Sequence, residues 1–116
     1  MDSIVEGKAF DFAKRIVKLY NYLTDEKKEY TMSKQLLRSG TSIGANIAEA
    51  QCAQSKNDFV SKIYIALKEA NETKYWLRLL HDMEYISDIE FSSIFNDCCE
   101  IYKMLSSIII TSKKDD

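Results

Sequence analysis

The chain has 116 residues, 46% of them hydrophobic and 29% charged, with three glycines, no proline and a formal net charge of −2. That length closes one core rather than two, and the balance excludes disordered and collagen-like chains. Proline costs roughly 3 kcal/mol inside a helix, so nothing here interrupts long helical runs, and the slight acidity offers no overall attraction to a phosphate backbone.

Charge is uneven along the chain: Lys8 to Arg38 holds eight Lys/Arg against four Asp/Glu, and Asp82 to Asp116 holds three against eight. Two solvated faces account for this, the alternative being a basic docking surface on the first segment. Cys52, Cys98 and Cys99 form no C-x-x-C pair and are odd in number, which predicts reduced thiols and a cytoplasmic setting. Met1 to Gly7 has no basic region followed by an apolar stretch, so no signal peptide is expected. Ile108-Ile109-Ile110 falls far short of the roughly 20 apolar residues of a membrane span.

Taken in chain order, Phe10, Phe12, Ala13, Ile16, Val17, Leu19, Tyr20 and Leu23 fill one half of a helical wheel, and Lys8, Asp11, Lys14, Arg15, Lys18 and Asn21 the other. This predicts a first amphipathic helix over about residues 4–25, ended by the aperiodic charges of Asp25-Glu26-Lys27-Lys28-Glu29. A second helix starts near Thr31 or Ser33, either of which is a capping type, and its apolar line is Leu36, Gly40, Ile43, Ile47 and Ala50. Its small residues, Ser39, Gly40, Ser42, Gly44, Ala45 and Ala48, lower helix propensity and so point to close approach by a neighbour.

Ser55-Lys56-Asn57-Asp58 has capping-box spacing with Asp in place of Glu or Gln. Beyond it Phe59, Ile63, Ala66, Ala70, Thr73, Leu77 and Leu80 alternate steps of four and three, predicting a third helix over about 56–84. Ser87-Asp88-Ile89-Glu90 opens a fourth over about 88–111, with Phe91, Ile94, Cys98, Ile101, Leu105 and Ile108 as its seam. Lys113 to Asp116 are expected to fray. Connections of a few residues force neighbouring helices to run opposite ways. The predicted fold is all-α: one domain, residues 1–116, an antiparallel up-down-up-down four-helix bundle.

No catalytic or metal motif emerges, and no cofactor is expected. The single histidine, His81, cannot form a two-histidine zinc pattern and suits the C-terminal dipole of helix three. Gly40 and Gly44 lie within a helical pattern rather than in a phosphate loop. Cys98, on the apolar seam, reads as a small core residue.

Two features stand out. Gln35, Arg38, Ser42, Asn46 and Glu49 project from one side of helix two, while Glu69 and Glu72 on helix three share an arc with Ile65, Trp76, Leu79 and Met83. A hairpin turning near residue 54 sets Arg38 level with residues 69 to 72, so Arg38 is expected to pair with Glu69 or Glu72 in a polar network that fixes register. Secondly, Ile65, Trp76, Leu79 and Met83 lie outside the Phe59 to Leu80 seam; surplus apolar width of this kind marks a protein contact, here expected between copies of the chain.

Gln35 to Glu49, Ser55 to Phe59 and Ala66 to Leu77, with the core motif Ser42-Ile43-x-x-Asn46-Ile47-Ala48-Glu49, resemble the four-helix bundle family of 23S rRNA-intervening sequence proteins. The resemblance implies the same bundle, a ring-forming oligomer commonly of five subunits, and no established enzymatic activity. Related accessory proteins of retroelements bind a reverse transcriptase and nucleic acid. Three readings follow. The favoured one is a self-assembling scaffold. The alternatives are an accessory nucleic-acid- or reverse-transcriptase-binding protein using Lys8 to Arg38, and an enzyme with a carboxylate site at Glu49, Glu69 or Glu72.

Overall fold

Periodicity and end signals translate into four α-helices in a computed structural model that describes residues 3–114: α1 (Ser3–Asp25), α2 (Met32–Ala50), α3 (Lys56–Asp82) and α4 (Asp88–Lys114). No strand occurs among the described residues. Lys113 and Lys114, expected to fray, continue α4, where their charge suits the helix's C-terminal dipole; Met1, Asp2, Asp115 and Asp116, which figured in the readings of the two ends, lie outside the described residues. Each helix packs on two others, α1 on α2 and α4, and α3 on α2 and α4. The molecule measures 48 × 21 × 19 Å, the long axis being that of the helices.

The inward line of α1 is Val5, Ala9, Phe12, Ile16, Leu19 and Leu23, all buried. Phe10 and Val17, placed by the wheel in the apolar half, are instead 64% and 42% exposed. The apolar arc of α1 is wider than the stripe one core can use, and its edge faces out. The α2 line of Leu36, Gly40, Ile43, Ile47 and Ala50 is buried throughout. So is the α3 seam, apart from the half-buried Phe59 that heads it.

On α4, Ile94, Cys98, Ile101 and Leu105 are buried as the steps require, but the last inward residue is Ile109 rather than Ile108. A straight α-helix drifts about 20° per heptad from a strict seven-residue repeat, which after two heptads hands the inward position to the next residue.

Small residues on α2 set the helix spacing. A Cβ placed on Gly40 would lie 2.8 Å from Ile16 Cγ1 and 2.9 Å from its Cγ2, and one on Gly44 would meet the Ala9 backbone at 3.6 Å. On the side of α2 that meets α3, buried Ser39 and Thr73 share a hydroxyl–hydroxyl hydrogen bond of 3.0 Å that links the two helices inside the core. The Cys98 thiol donates to the Ala70 carbonyl at 3.4 Å, tying α4 to α3.

The helix ends follow the sequence in two cases and depart from it in one. Ser55 Oγ accepts from the Asp58 N–H at 3.0 Å, and Ser87 Oγ from the Glu90 N–H at 3.2 Å. Thr31 makes no side-chain cap at the start of α2. That role belongs to Glu29, whose buried carboxylate accepts from the N–H groups of Thr31, Met32 and Ser33 at 3.2, 3.0 and 2.7 Å. Ser33 then donates its hydroxyl to the Glu29 carbonyl at 2.7 Å. An ionised acceptor serving three orphan N–H groups is stronger than a neutral hydroxyl serving one. Burial alone would push the Glu29 carboxyl up, but the N–H donors of Ser33, Met32 and Thr31 outweigh it and hold the carboxyl below its ordinary range.

Candidate functional site

The residues singled out on α2 and α3 meet on one face of the molecule. Arg38 reaches across from α2, with Nη1 3.3 Å from Glu69 Oε1 and Nη2 bonded to Glu72 Oε2. Its Nε donates to Gln35 Oε1 at 3.4 Å. Trp76 Nε1 donates to the same Glu72 oxygen at 3.0 Å, so Glu72 joins a cation on α2 to an indole one turn along α3. The cluster is half open to water: the side chains of Arg38, Glu69 and Glu72 are 48%, 21% and 37% exposed.

The polar stripe does not form one connected network. Gln35, Arg38, Glu69 and Glu72 come together, but Ser42 donates to the Arg38 carbonyl at 2.6 Å and Asn46 to the Ser42 carbonyl at 2.9 Å, both within their own helix. Glu49 lies near the far end of α2, 3.8 Å from Lys62 Nζ. Short polar side chains within a helix bond back to the preceding turn rather than reach a neighbour. Trp76 is the member the sequence reading left out; its spacing of four from Glu72 was the available signal.

Around this cluster lies the apolar stripe of α3. Ile65 is 39% and Met83 59% exposed, whereas Trp76 and Leu79 are half-buried, Trp76 packing against the subunit's own core. The surplus apolar surface is therefore carried mainly by the two ends of the stripe.

Cys98 and His81 each sit in a structural contact. Burial pushes the Cys98 thiol up to about 12, so it holds its proton at neutral pH and is a poor nucleophile. His81 at the end of α3 pairs with Asp88 at 2.6 Å and stacks on Phe91, ring centroids 4.1 Å apart, which makes it a clasp on the α3–α4 turn. No group of three or more His, Cys, Asp or Glu able to hold a metal occurs among the described residues. Among the described residues no helix is long and apolar enough to cross a membrane.

Four of the eight cations of the basic segment, Lys8, Lys14, Arg15 and Arg38, meet carboxylates of the same subunit. Lys8 pairs with Glu100, Arg15 lies 2.7 Å from Asp97 and 3.7 Å from Glu90, and Lys14 is 3.6 Å from Asp11. The pairs from Lys8 and Arg15 link α1 to α4, so the basic and acidic segments of the sequence meet inside one chain.

Comparison with known proteins agrees with this picture. A crystal structure of a protein of unknown function from the S23 ribosomal protein family of Bacteroides thetaiotaomicron is similar, with 61% sequence identity and a TM-score of 0.90. The match covers 90% of this chain and 97% of that one. No curated protein matches. The family model described as 23S rRNA-intervening sequence protein matches residues 1–107, nearly the whole helical span, and the chain belongs to that family.

Proposed function

We propose that the protein is a non-enzymatic, cytoplasmic scaffold that assembles with copies of itself. Each copy is an antiparallel up-down-up-down bundle and contributes the α2–α3 face to the contact. The order of the cross-helix partners supports the topology. As α1 runs from Ala9 to Ile16 its partners on α2 run back from Gly44 to Gly40. Arg38 and Glu49 on α2 face Glu69 and Lys62 on α3, again in reverse order. Ala70 and His81 on α3 face Cys98 and Asp88 on α4, and Lys8 and Arg15 on α1 face Glu100 and Glu90.

The observation that carries self-assembly is the α3 stripe, with Ile65 and Met83 in water on either side of a half-open ion cluster. A second copy laid along α3 would remove both exposed ends of the stripe from solvent. The family resemblance suggests a ring of five. Pairing of Lys8, Lys14 and Arg15 within the subunit weakens the case for nucleic acid on α1, because a phosphate backbone would have to displace those carboxylates.

Sedimentation at micromolar concentration tests the reading. Wild type should run well above the monomer, and Met83→Glu should lower the mass with far-UV circular dichroism unchanged. Met83 serves better than Trp76 here because Trp76 also supports its own core. A monomeric wild type would overturn the proposal.

A further inference from the structure

The ion pairs that hold the bundle together also sort its charges. Between Tyr64 and Arg78 the carboxylates of α3 are Glu69 and Glu72, and both turn to Arg38 on α2. Those of α4 turn away as well, Glu90, Asp97 and Glu100 to α1 and Asp88 to His81 at the end of α3. The flank where α3 meets α4 therefore keeps its cations. Lys68, Lys74 and Arg78 make no ion pair among the described residues, in contrast to Lys8, Lys14 and Arg15 on α1.

Aromatic rings alternate with these cations. Tyr64, Lys68, Asn71, Tyr75 and Arg78 follow one another at steps of four and three, so they share one side of α3, and all five are exposed. Lys68 Nζ stands 5.8 Å from the centre of the Tyr64 ring, and Lys74 Nζ 4.2 Å from that of Tyr102 on α4. Beside Tyr64 the flank opens into a cavity of about 430 Å³, lined by Lys56, Lys68, Lys113, Ser61 and Ser112 among others and by no carboxylate.

The geometry points to a single-stranded nucleic acid as the ligand of this flank, with its phosphates on Lys68, Lys74, Arg78 and the cavity's lysines and its bases on Tyr64 and Tyr75. Cations alone would serve any polyanion. Exposed rings set between them suit bases, whose flat faces stack on aromatic side chains. At 1.5 Å per residue the two rings stand roughly 16 Å apart along α3. Bases must splay from the strand to reach both, which a duplex with its bases stacked inside does not allow. The net charge of −2 does not oppose this, because exposed charges more than about 10 Å away are largely screened at about 0.1 M salt. The flank is the α4 side of α3, distinct from the Arg38 cluster on the α2 side whether or not copies assemble there.

Fluorescence anisotropy of a labelled oligothymidylate, alone and annealed to oligoadenylate, tests this on the full chain. The single strand should bind. With about four phosphates neutralised, its affinity should fall roughly fiftyfold from about 50 to about 200 mM salt. Lys68→Gln and Arg78→Gln should each lower the salt slope by about 0.7. Tyr75→Leu should weaken the single strand about tenfold and leave the duplex unchanged. Lys18→Gln, at an exposed cation of α1, is the control and should alter neither. All four positions are exposed, so each variant should keep wild-type helical dichroism. No binding at low salt, a duplex affinity equal to that of the single strand, or a loss for Lys18→Gln as large as for Lys68→Gln would overturn the inference. So would polyglutamate that competes as well as unlabelled oligothymidylate of equal charge, which would make the flank a dock for acidic protein segments instead.

Discussion

Replacing Gly40 by alanine sets two effects of known size against each other. Alanine favours a helix interior over glycine by about 1 kcal/mol, so an unobstructed site would gain that much. Here the new methyl would sit 2.8 and 2.9 Å from Ile16 Cγ1 and Cγ2 and 3.1 Å from Cδ1. Carbon atoms rest about 3.5–4.0 Å apart, so Ile16 or the α1 backbone must retreat by roughly 0.7 Å. Ile16 is fully buried and β-branched, so it has no free end to swing aside. Overpacking of this kind costs about 1–3 kcal/mol. The net expectation for Gly40→Ala is a loss of about 1 kcal/mol, or about 4 °C in Tm for a chain of this size.

Urea denaturation followed by circular dichroism at fixed protein concentration reads the change. Gly44→Ala is the control. Its methyl would meet Ala9 at ordinary contact distances of 3.6–3.7 Å, so it should gain up to about 1 kcal/mol. Ile16→Ala makes space for the methyl, and the double variant Ile16→Ala/Gly40→Ala should be more stable than the sum of the single losses predicts, by about 2 kcal/mol, the overpacking relieved. If Gly40→Ala stabilises as much as Gly44→Ala, or if the cycle is additive, close α1–α2 contact is not what glycine serves at position 40.

Two further perturbations address the α2 cap and the ion cluster. Glu29→Gln should cost about 1 kcal/mol at neutral pH, because charge-assisted bonds to three N–H groups become neutral ones. The Glu29 carboxyl is held below its ordinary 4.5 when folded. Its stabilisation is therefore complete above that value and lost as pH falls through the folded-state value, so wild type and variant should converge in acid; a gap that persists there refutes the capping account. Arg38→Ala should cost about 1 kcal/mol, as expected for a half-exposed pair rather than a buried one. A urea-measured loss of about 3 kcal/mol or more would mean that the cluster is closed off from water in the assembled protein.

The sequence by itself determined the four helices, the inward lines of α2 and α3 and the serine caps of α3 and α4. These depend on local periodicity and on a hydroxyl three residues from the N–H it serves. It also brought Arg38 level with Glu69 and Glu72, since a short turn leaves little freedom in how α2 and α3 are set against each other. Tertiary structure decided the rest. The apolar arc of α1 is too wide to say which stripe turns inward; Gly40 and Gly44 settle it by admitting Ile16 and Ala9, which leaves Phe10 and Val17 outside. Glu29 looked like one more charge in a linker, and became the α2 cap only because the turn folds its carboxylate over the first N–H groups of the helix. Likewise, the opposite charges of the two halves of the chain look like two separate faces in one dimension, yet packing α4 against α1 joins them as Lys8–Glu100 and Arg15–Asp97. Helical period is written in neighbouring residues; which side of a helix meets which partner depends on shapes contributed from distant parts of the chain.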